Sequence, residues 1–156
     1  MEEVFHFDET VQEVIEEMQP LTTKHTIIHK KNADVKVLGD KYRVSQVLRN
    51  LLSNAIKYSP ESDKIIVKTS FDKNEVVVSV QDFGIGIPKD KQSKLFERFY
   101  RVSDKKRASF PGLGLGLYIS NEIIKRQDGR MWFESKEGKG STFYFCLPIH
   151  LHNGKK

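Results

Sequence analysis

The chain has 156 residues and a formal net charge of +5 at pH 7, from 26 Lys and Arg against 21 Asp and Glu. At about 100 to 200 residues per domain, this length fits one domain and excludes an enzyme whose active site lies between two domains. Basic and acidic residues are interleaved along the chain, which favours solvated faces over a stripe that binds nucleic acid. No stretch approaches the ~18 consecutive apolar residues of a membrane-spanning helix.

The N-terminal region predicts one helix followed by two short strands. Apolar residues recur at intervals of three and four between Asp8 and Lys24, so we expect an amphipathic helix with Asp8 at its N-cap and Pro20 near its end. Residues 26–30 and 35–38 are short β-branched or apolar runs on either side of a polar segment, which indicates two strands.

The remainder of the chain mixes helices with hairpins. Residues 40–58 carry the strongest helical pattern, with Asp40 as its N-cap, and residues 64–71 and 75–80 predict an antiparallel hairpin. The later elements are a helix at 91–99, a polar loop at 101–111, a helix at 115–126, and strands at 130–135 and 141–147. This order predicts an α+β fold, a two-layer α/β sandwich whose mixed sheet of about five strands is covered on one face by three helices.

A group of polar residues borders the apolar face of the helix at 40–58. Asn50, Asn54 and Lys57 lie within about 60° of one another on a helical wheel, and Tyr58 adjoins them. Asn is a poor helix former, and a buried amide needs hydrogen-bonding partners. A carboxamide oxygen suits Mg²⁺, and a Lys one turn later can reach a phosphate. Taken alone, these residues fit a solvated helix face equally well.

Two glycine-bearing segments suggest contact with a ligand. DFGIGIP at 82–88 follows a strand, so its glycines allow the backbone to approach a flat ligand, and Asp82 can accept a hydrogen bond from an exocyclic amine. GLGLGL at 112–117 precedes a predicted helix, where free N–H groups can face phosphate oxygens. Neither segment matches GxxxxGK[ST] or the dinucleotide GxGxxG, so those two nucleotide folds lose support.

The order of five motifs is more specific than any one of them. They are RNLLSNAIKYSP at 49–60, DFGIGIP at 82–88, LFERFYR at 95–101, GLGLGL at 112–117 and GKGSTF at 138–143. In this order they resemble the ATP-binding catalytic domain of sensor histidine kinases, a branch of the GHKL ATPase superfamily, over residues 7–148. The resemblance implies the Bergerat fold, with ATP and Mg²⁺ as ligands.

The first motif resembles the N-box of that family. The resemblance implies that Asn54 binds Mg²⁺, with Asn50 as its partner one turn earlier. It also implies that Lys57 contacts a phosphate and that the ring of Tyr58 lies against the adenine. We therefore expect Asn50, Asn54 and Lys57 to form the catalytic group of this domain.

The other motifs resemble the adenine pocket and the lid over ATP. By this resemblance Asp82 binds the adenine amine, and Thr142 supports Asp82 and the adenine. Phe96 and Phe99 anchor one end of the lid, although core packing also explains these two rings. The further residues expected at the ATP site are Gly84, Gly86, Ile87, Arg98, Arg101, Gly112, Leu113, Gly114, Leu115, Gly116 and Leu117. Arg98 and Arg101 are candidates to meet phosphate or the acceptor domain.

One position separates hydrolysis from phosphoryl transfer. ATPase members such as DNA gyrase resemble this site but place a Glu one turn before the Mg-binding Asn, where this chain has Asn50. An amide cannot act as a general base, so the sequence favours transfer over rapid hydrolysis. The chain also departs from the family pattern at Leu113, where many members carry a hydroxyl, and at residues 127–129, where many have His-Gly-Gly.

No histidine of the chain fits the pattern of a phosphate acceptor, which is a helical His followed by an acidic residue and then Pro. The five histidines are His6, His25, His29, His150 and His152, and we expect surface or packing roles for them. The start of the chain resembles the segment that follows the dimerisation and phosphoacceptor helices. We therefore expect a catalytic domain at 1–150, a frayed tail at 151–156, and a longer parent protein.

The resemblance also implies partners. The parent kinase would transfer the γ-phosphate to a histidine of its own dimerisation domain, for relay to a response regulator. We expect a homodimeric parent that can be anchored in the inner membrane, and a monomeric, cytoplasmic domain without nucleic-acid or membrane contact. Two alternatives stay open: a serine kinase of the anti-sigma-factor type on the same fold, and a nucleotide-sensing module without catalysis.

Overall fold

The computed structural model describes residues 1–97 and 113–149, with side chains described from residue 116 onwards in the second range. The helices are α1 Phe7–Met18, α2 Lys41–Tyr58, α3 Lys89–Gln92 and α4 Leu113–Arg126, and a 3₁₀ turn spans Gln19–Leu21. The strands are β1 Glu3–His6, β2 Thr26–Lys30, β3 Lys36–Gly39, β4 Lys64–Phe71, β5 Glu75–Asp82, β6 Arg130–Lys136 and β7 Gly140–Pro148. No helix within the described ranges is long and apolar enough to cross a membrane.

The main sheet has five strands in the order β2-β4-β5-β7-β6. β2 pairs parallel with β4, whereas the other three pairs are antiparallel, so the sheet is mixed. β1 and β3 form a separate antiparallel pair. The predicted α+β fold with a mixed five-stranded sheet is confirmed. The pairing of β1 with β3 was not predicted, because β1 is too short to show a pattern.

The hydrophobic core lies between one face of the main sheet and the helices α1, α2 and α4. Val76, Val78 and Val80 of β5 are buried on this face. The side of α2 that meets them is apolar, with buried Val44, Val47, Leu48, Leu51, Leu52 and Ala55. Full burial of one such Val or Leu contributes about 1.5 to 3 kcal/mol. The two Asn of α2 cost less than about 0.7 kcal/mol each in propensity, so packing determines that this segment is helical.

Helix α2 begins as the sequence predicts, whereas α1 does not. Asp40 caps α2, and its carboxylate accepts a hydrogen bond from the Arg43 N–H over 3.1 Å. The predicted N-cap role of Asp8 is wrong, because α1 begins at Phe7. The Asp8 carboxylate instead accepts hydrogen bonds from the Ala33 N–H (2.8 Å) and the Thr69 hydroxyl (2.6 Å), which ties α1 to the sheet.

The bounds of α1, α3 and α4 also differ from those predicted, and β3, β5, β6 and β7 differ by one or two residues at their ends. α1 ends at Met18, because Pro20 lies in the following 3₁₀ turn, where its missing N–H breaks the helix. The helix predicted at 91–99 is the single turn α3, and residues 98–99 lie outside the described residues. α4 begins at Leu113, two residues earlier than predicted. The loop predicted at 101–111 and the tail at 151–156 also lie outside the described residues.

Candidate functional site

Asp82 is the last residue of the central strand β5, and its side chain is buried among polar main-chain groups. The residue is only 5% exposed. Its Oδ1 atom accepts two hydrogen bonds, from the N–H of Gly84 (3.0 Å) and the N–H of Ser141 (3.3 Å). Among the described residues, no hydrogen bond reaches Oδ2. One carboxylate oxygen therefore holds the side chain in place, and the other can accept a donor from a ligand.

Burial changes the acidity of this carboxyl. Desolvation raises the pKa of Asp82 to about 6, against the opposing effects of the two N–H donors and the nearby His25. The carboxylate is therefore charged at neutral pH but close to its titration range. Perturbed carboxyls of this kind concentrate at functional sites, because a buried charge without a full set of partners is tolerated only where function requires it.

The loop after Asp82 packs directly on the end of α2. The Ile85 N–H donates to the Tyr58 carbonyl over 3.2 Å. A Cβ atom at Gly84 would lie 1.9 Å from the same carbonyl oxygen, so only glycine fits this close approach. The aromatic residue at the end of α2 and the carboxylate at the end of β5 therefore belong to one local structure.

The same loop is also fixed to the turn between β6 and β7. Gly86 has a φ of 71°, and a Cβ atom there would lie 2.1 Å from the Lys136 carbonyl oxygen. The N–H of the buried Ile87 donates to the Ser135 hydroxyl over 2.8 Å. Gln92 of α3 closes the group, because its amide nitrogen donates to the carbonyl of Ile87 over 2.9 Å. The DFGIGIP loop is thus held from two sides by the protein itself.

Asn54 lies on the side of α2 that borders the core, where its burial is unusual for an amide. The residue is 6% exposed, and its Nδ2 atom is buried without a hydrogen-bond partner in the described part of the chain. An unpaired buried polar group costs about 1 to 3 kcal/mol, so a native protein keeps one where a ligand or ion supplies the missing partner. Rotation of the amide exchanges its NH₂ and its carbonyl, so Asn54 can present a donor or an acceptor.

The other N-box residues have different surroundings. The Asn50 amide nitrogen donates to the Ser120 hydroxyl over 3.1 Å, which links α2 to α4. A Cβ atom at Gly116 would lie 2.6 Å from Asn50 Oδ1, so the two helices approach closely at that glycine. Lys57 is exposed in the last turn of α2. Asn50 is therefore engaged inside the fold, whereas Lys57 is free to extend towards a ligand.

The role predicted for Thr142 is wrong. Side chains alternate between the two faces of a strand, and Phe143 of β7 points into the core. Thr142 pairs with Gln81 and faces the open side of the sheet, where both line a shallow cavity of about 530 Å³. Ser141 lies opposite Asp82, and its main-chain N–H donates to Asp82 Oδ1, so Ser141 supports Asp82 in place of Thr142. The period of two along β7 was the signal that identifies Ser141.

The remaining predicted residues belong to the third and fourth motifs, which the structure describes in part. Phe96 packs edge-on against Phe133, with ring centroids 5.7 Å apart, which is the core-packing role allowed for it. Leu117 is fully buried. Leu113, Gly114, Leu115 and Gly116 form the first turn of α4 instead of preceding it. The N–H groups of a first helical turn have no partner within the helix, so this turn can still bind an anion. Arg98, Phe99, Arg101 and Gly112 lie outside the described residues.

The feature that determines which metal ion could bind is the set of side chains around Asn54. The described residues contain no cluster of three or more His, Cys, Asp or Glu side chains that could hold a metal ion. The donor set near Asn54 therefore fits only a cation that takes most of its ligands from phosphate oxygens and water. Mg²⁺ behaves in this way, because it retains water and binds through few protein ligands plus substrate phosphates.

A buried carboxylate at the end of a central strand, a helix with a buried amide nitrogen that has no partner among the described residues, and the first turn of another helix define a nucleotide-binding α+β domain. The comparison with protein families agrees with this class. The model of the histidine kinase-, DNA gyrase B- and HSP90-like ATPase family matches residues 39–151. The chain belongs to that family, and the membership predicted from the five motifs is confirmed.

The most similar proteins among curated sequences include WalK kinases. The chain is 43% identical over 117 residues to the sensor histidine kinase WalK of Bacillus subtilis, covering 74% of this chain and 19% of WalK. It is 36% identical over 155 residues to the sensor protein kinase WalK of Staphylococcus aureus, covering 96% of this chain and 25% of that kinase. The chain thus spans a minor part of the length of these relatives.

Solved structures show the same architecture. The catalytic domain of histidine kinase ThkA superposes with a TM-score of 0.81 at 31% identity, covering 96% of this chain and 98% of that domain. Full-length ShkA in complex with AMPPNP superposes with a TM-score of 0.76 at 26% identity, covering 95% of this chain and 31% of ShkA. The fold is therefore that of histidine kinase catalytic domains.

Proposed function

We propose that this chain binds Mg-ATP and that, within a longer sensor histidine kinase, it transfers the γ-phosphate to a histidine for relay to a response regulator. The observation that carries the proposal is Asp82, buried and oriented through Oδ1 while Oδ2 receives no hydrogen bond from the described residues. The relatives support it, because they are named as histidine kinases, and the ShkA structure contains AMPPNP.

The adenine end of the site rests on Asp82. An exocyclic amine donates hydrogen bonds, and the open Oδ2 of a carboxylate accepts them, so Asp82 selects a base with an amine at this edge. Tyr58, whose carbonyl is bonded to Ile85, supplies the ring next to the base. Gly84 and Gly86 let the loop pack against the carbonyls of Tyr58 and Lys136, where a Cβ atom would clash.

The phosphate end rests on α2 and the first turn of α4. Asn54 would hold Mg²⁺ through its carboxamide oxygen, and Lys57 would contact a phosphate oxygen. When bound, the cation neutralises charge on the phosphate oxygens and helps to orient them. The N–H groups of residues 113–116 would face the phosphates.

Transfer is favoured over hydrolysis because no general base is found at the expected position. The residue there is Asn50, an amide whose nitrogen already donates to Ser120. We infer that the acceptor lies elsewhere in the protein, because none of the five histidines has the acceptor pattern of a helical His followed by an acidic residue and Pro, and the exposed His6 lies in strand β1. His25 is buried and bonded on both ring nitrogens, and the ring of His29 is buried against Asp8. His150 and His152 lie outside the described residues.

Two partners follow from this proposal. The first is a dimerisation and phosphoacceptor domain of the same kinase, which implies a homodimeric parent and a catalytic domain that is monomeric by itself. The second is a response regulator, reached through the phosphohistidine. We place this domain on the cytoplasmic side, where ATP is present, with a parent that can be anchored in the inner membrane, and we assign residues 1–150 to the catalytic domain.

The test has a binding step and a transfer step. In the first, calorimetric titration of the chain with Mg-ATP should show one site per chain, and a flat titration would refute the proposal. In the second, the chain is incubated with γ-labelled ATP and the histidine-bearing acceptor region of a WalK-type kinase. Label on the acceptor that is lost in acid indicates phosphohistidine. Acid-stable label would favour the serine kinase, and binding without any transfer would favour the nucleotide-sensing module.

A further inference from the structure

We propose that His25, which lies outside all five motifs, is a positioning residue that fixes the C-terminal end of α2 and thereby the adenine side of the ATP site. The inference rests on the proposed function, because it concerns the geometry of that site. It adds a residue to which the sequence alone assigned only a surface or packing role. Four sets of contacts carry the argument.

The imidazole ring of His25 is buried and bonded at both nitrogens. The residue is 4% exposed. Nε2 lies 2.8 Å from the Ser59 carbonyl oxygen, and Nδ1 lies 2.8 Å from the Thr22 hydroxyl. A carbonyl can only accept, so Nε2 carries the proton, and in the neutral ring Nδ1 accepts from Thr22. These partners define one ring orientation and one tautomer.

The segment that carries the ring is itself anchored. The Gln19 amide nitrogen donates to the His25 carbonyl over 2.8 Å, and its amide oxygen accepts from the Ile27 N–H over 2.8 Å. The His25 N–H also donates to the Thr22 hydroxyl over 3.2 Å. The imidazole is therefore presented from a fixed turn between α1 and β2, so its contact with Ser59 can support another element.

Ser59 is the C-cap of α2 and is completely buried. Its hydroxyl donates to the Ala55 carbonyl over 2.5 Å, which satisfies one of the unpaired carbonyls at the helix end. Its own carbonyl accepts from His25 and, over 3.2 Å, from the Ser62 N–H. His25 thus makes the shorter of the two hydrogen bonds that the Ser59 carbonyl accepts.

The preceding residue carries the effect into the ATP site. The Tyr58 carbonyl accepts a hydrogen bond from the Ile85 N–H over 3.2 Å, and Gly84 packs against the same carbonyl. A shift of Ser59 therefore moves both the Tyr58 ring and the loop that bonds Asp82. When charged, the His25 ring also lowers the pKa of the Asp82 carboxyl, in opposition to burial.

Loss of the imidazole Nε2–H of His25 leaves the buried Ser59 carbonyl with the longer hydrogen bond from the Ser62 N–H, which favours opening of the helix end. Only molecules with the helix end closed have the complete adenine side of the site. The apparent dissociation constant for ATP is inversely proportional to the fraction of molecules whose helix end is closed, so it rises as this fraction falls. The expected signature is therefore weaker binding from a residue that does not contact ATP.

The experiment compares His25→Leu with His29→Leu by calorimetric titration of Mg-ATP. His29 is a matched control, because its side chain is 5% exposed and its ring contacts Gln12 and Asp8, both of α1. Both variants should lower Tm. We expect His25→Leu to raise the dissociation constant about tenfold, because the buried Ser59 carbonyl loses the shorter of its two hydrogen bonds and the helix end opens more often. His29→Leu should leave the constant within about twofold. Equal changes in the two variants would overturn the inference.

Two measurements keep the test decisive if His25→Leu does not fold. His25→Gln retains a side-chain N–H of similar reach and should restore most of the affinity. Long-range ¹H–¹⁵N spectra of the unmodified chain should show the Nε2–H tautomer of His25, with ring signals that shift on addition of Mg-ATP while those of His29 do not. Unshifted His25 signals in a chain that binds ATP would reject the inference, whereas absence of ATP binding would reject the proposed function.

Discussion

Asp82 and Ser141 face each other across the antiparallel strands β5 and β7, and the Ser141 N–H donates to Asp82 Oδ1 over 3.3 Å. A second donor, the Gly84 N–H, reaches the same oxygen from the loop that follows β5. The carboxylate is therefore oriented by two different segments before any ligand is bound. Such preorganisation lowers the entropic cost of ordering the site on binding, so we expect changes at Asp82 to affect ATP affinity directly.

Replacement of Asp82 by Asn should weaken ATP binding. The change removes the charge and places an NH₂ donor or a neutral oxygen where the amine donor of the base is expected, with a loss of roughly 1 to 3 kcal/mol. Calorimetric titration with Mg-ATP measures it. Asp72→Asn is a matched control at the other end of β5, because Asp72 is exposed and likewise accepts two main-chain N–H groups, over 2.7 and 2.9 Å. Similar effects of both substitutions would contradict the assignment.

Binding should also depend on pH through Asp82. Its pKa is raised to about 6 by burial, so the carboxyl is ionised above this pH and protonated below it. Protonation converts the open oxygen from an acceptor into a donor, so affinity should be constant above neutrality and fall as the pH is lowered through about 6. The phosphates of ATP titrate in a similar range. The ratio of affinities between wild type and Asp82→Asn isolates the carboxyl, and this ratio should approach one at low pH.

Asn54→Ala separates the contribution of the cation from that of folding. Removal of a buried amide with an unpaired nitrogen relieves a desolvation penalty and loses some packing, so we expect the free energy of unfolding to change by less than about 1 kcal/mol. In the wild type, Mg²⁺ should increase the affinity for ATP over that in EDTA. In the variant this increase should disappear, and an undiminished increase would exclude Asn54 as a ligand of the cation.

Gly86→Ala and Gly138→Ala together separate the effect of close packing at Gly86 from the effect of a positive φ, which both glycines have. Both residues have positive φ, 71° and 83°, so both substitutions incur the left-handed backbone penalty of about 1 to 2 kcal/mol. A Cβ at Gly138 meets open space, whereas at Gly86 it lies 2.1 Å from the Lys136 carbonyl oxygen. Gly86→Ala should therefore lower Tm by the larger amount and reduce ATP affinity. Equal shifts in thermal unfolding would show that backbone conformation alone matters.

Much of this fold could be predicted because its signals are local. The stripe of apolar residues in α2 and the cap at Asp40 lie within 18 consecutive residues, and the hairpin of β4 and β5 joins neighbouring segments. Each of these elements buries one apolar face, so its hydrophobic periodicity can be recognised within a short window of consecutive residues. The motif positions around Asn54 and Asp82 were predictable for the same reason.

The errors concern residues whose partners are distant in sequence. Asp8 looked like a helix cap, but it bonds Thr69, 61 residues away. Asn50 was predicted as the partner of Asn54, and that role stays a prediction, but the spacing did not show that its amide nitrogen donates to Ser120, 70 residues away. Short polar side chains reach several kinds of partner with similar energy, so local pattern alone does not determine which one they choose.

By itself, the sequence determined the α+β class, the family and the loop and helix that hold Asp82 and Asn54, because periodicity and motif spacing are local properties. Only the tertiary structure decided that Ser141 and not Thr142 holds Asp82, since this follows from the register of β5 against β7. It also decided the role of His25, whose ring is hydrogen-bonded to the carbonyl of Ser59, 34 residues away in sequence. Which buried polar groups satisfy one another depends on how the packed elements align, and that alignment exists only in the folded chain.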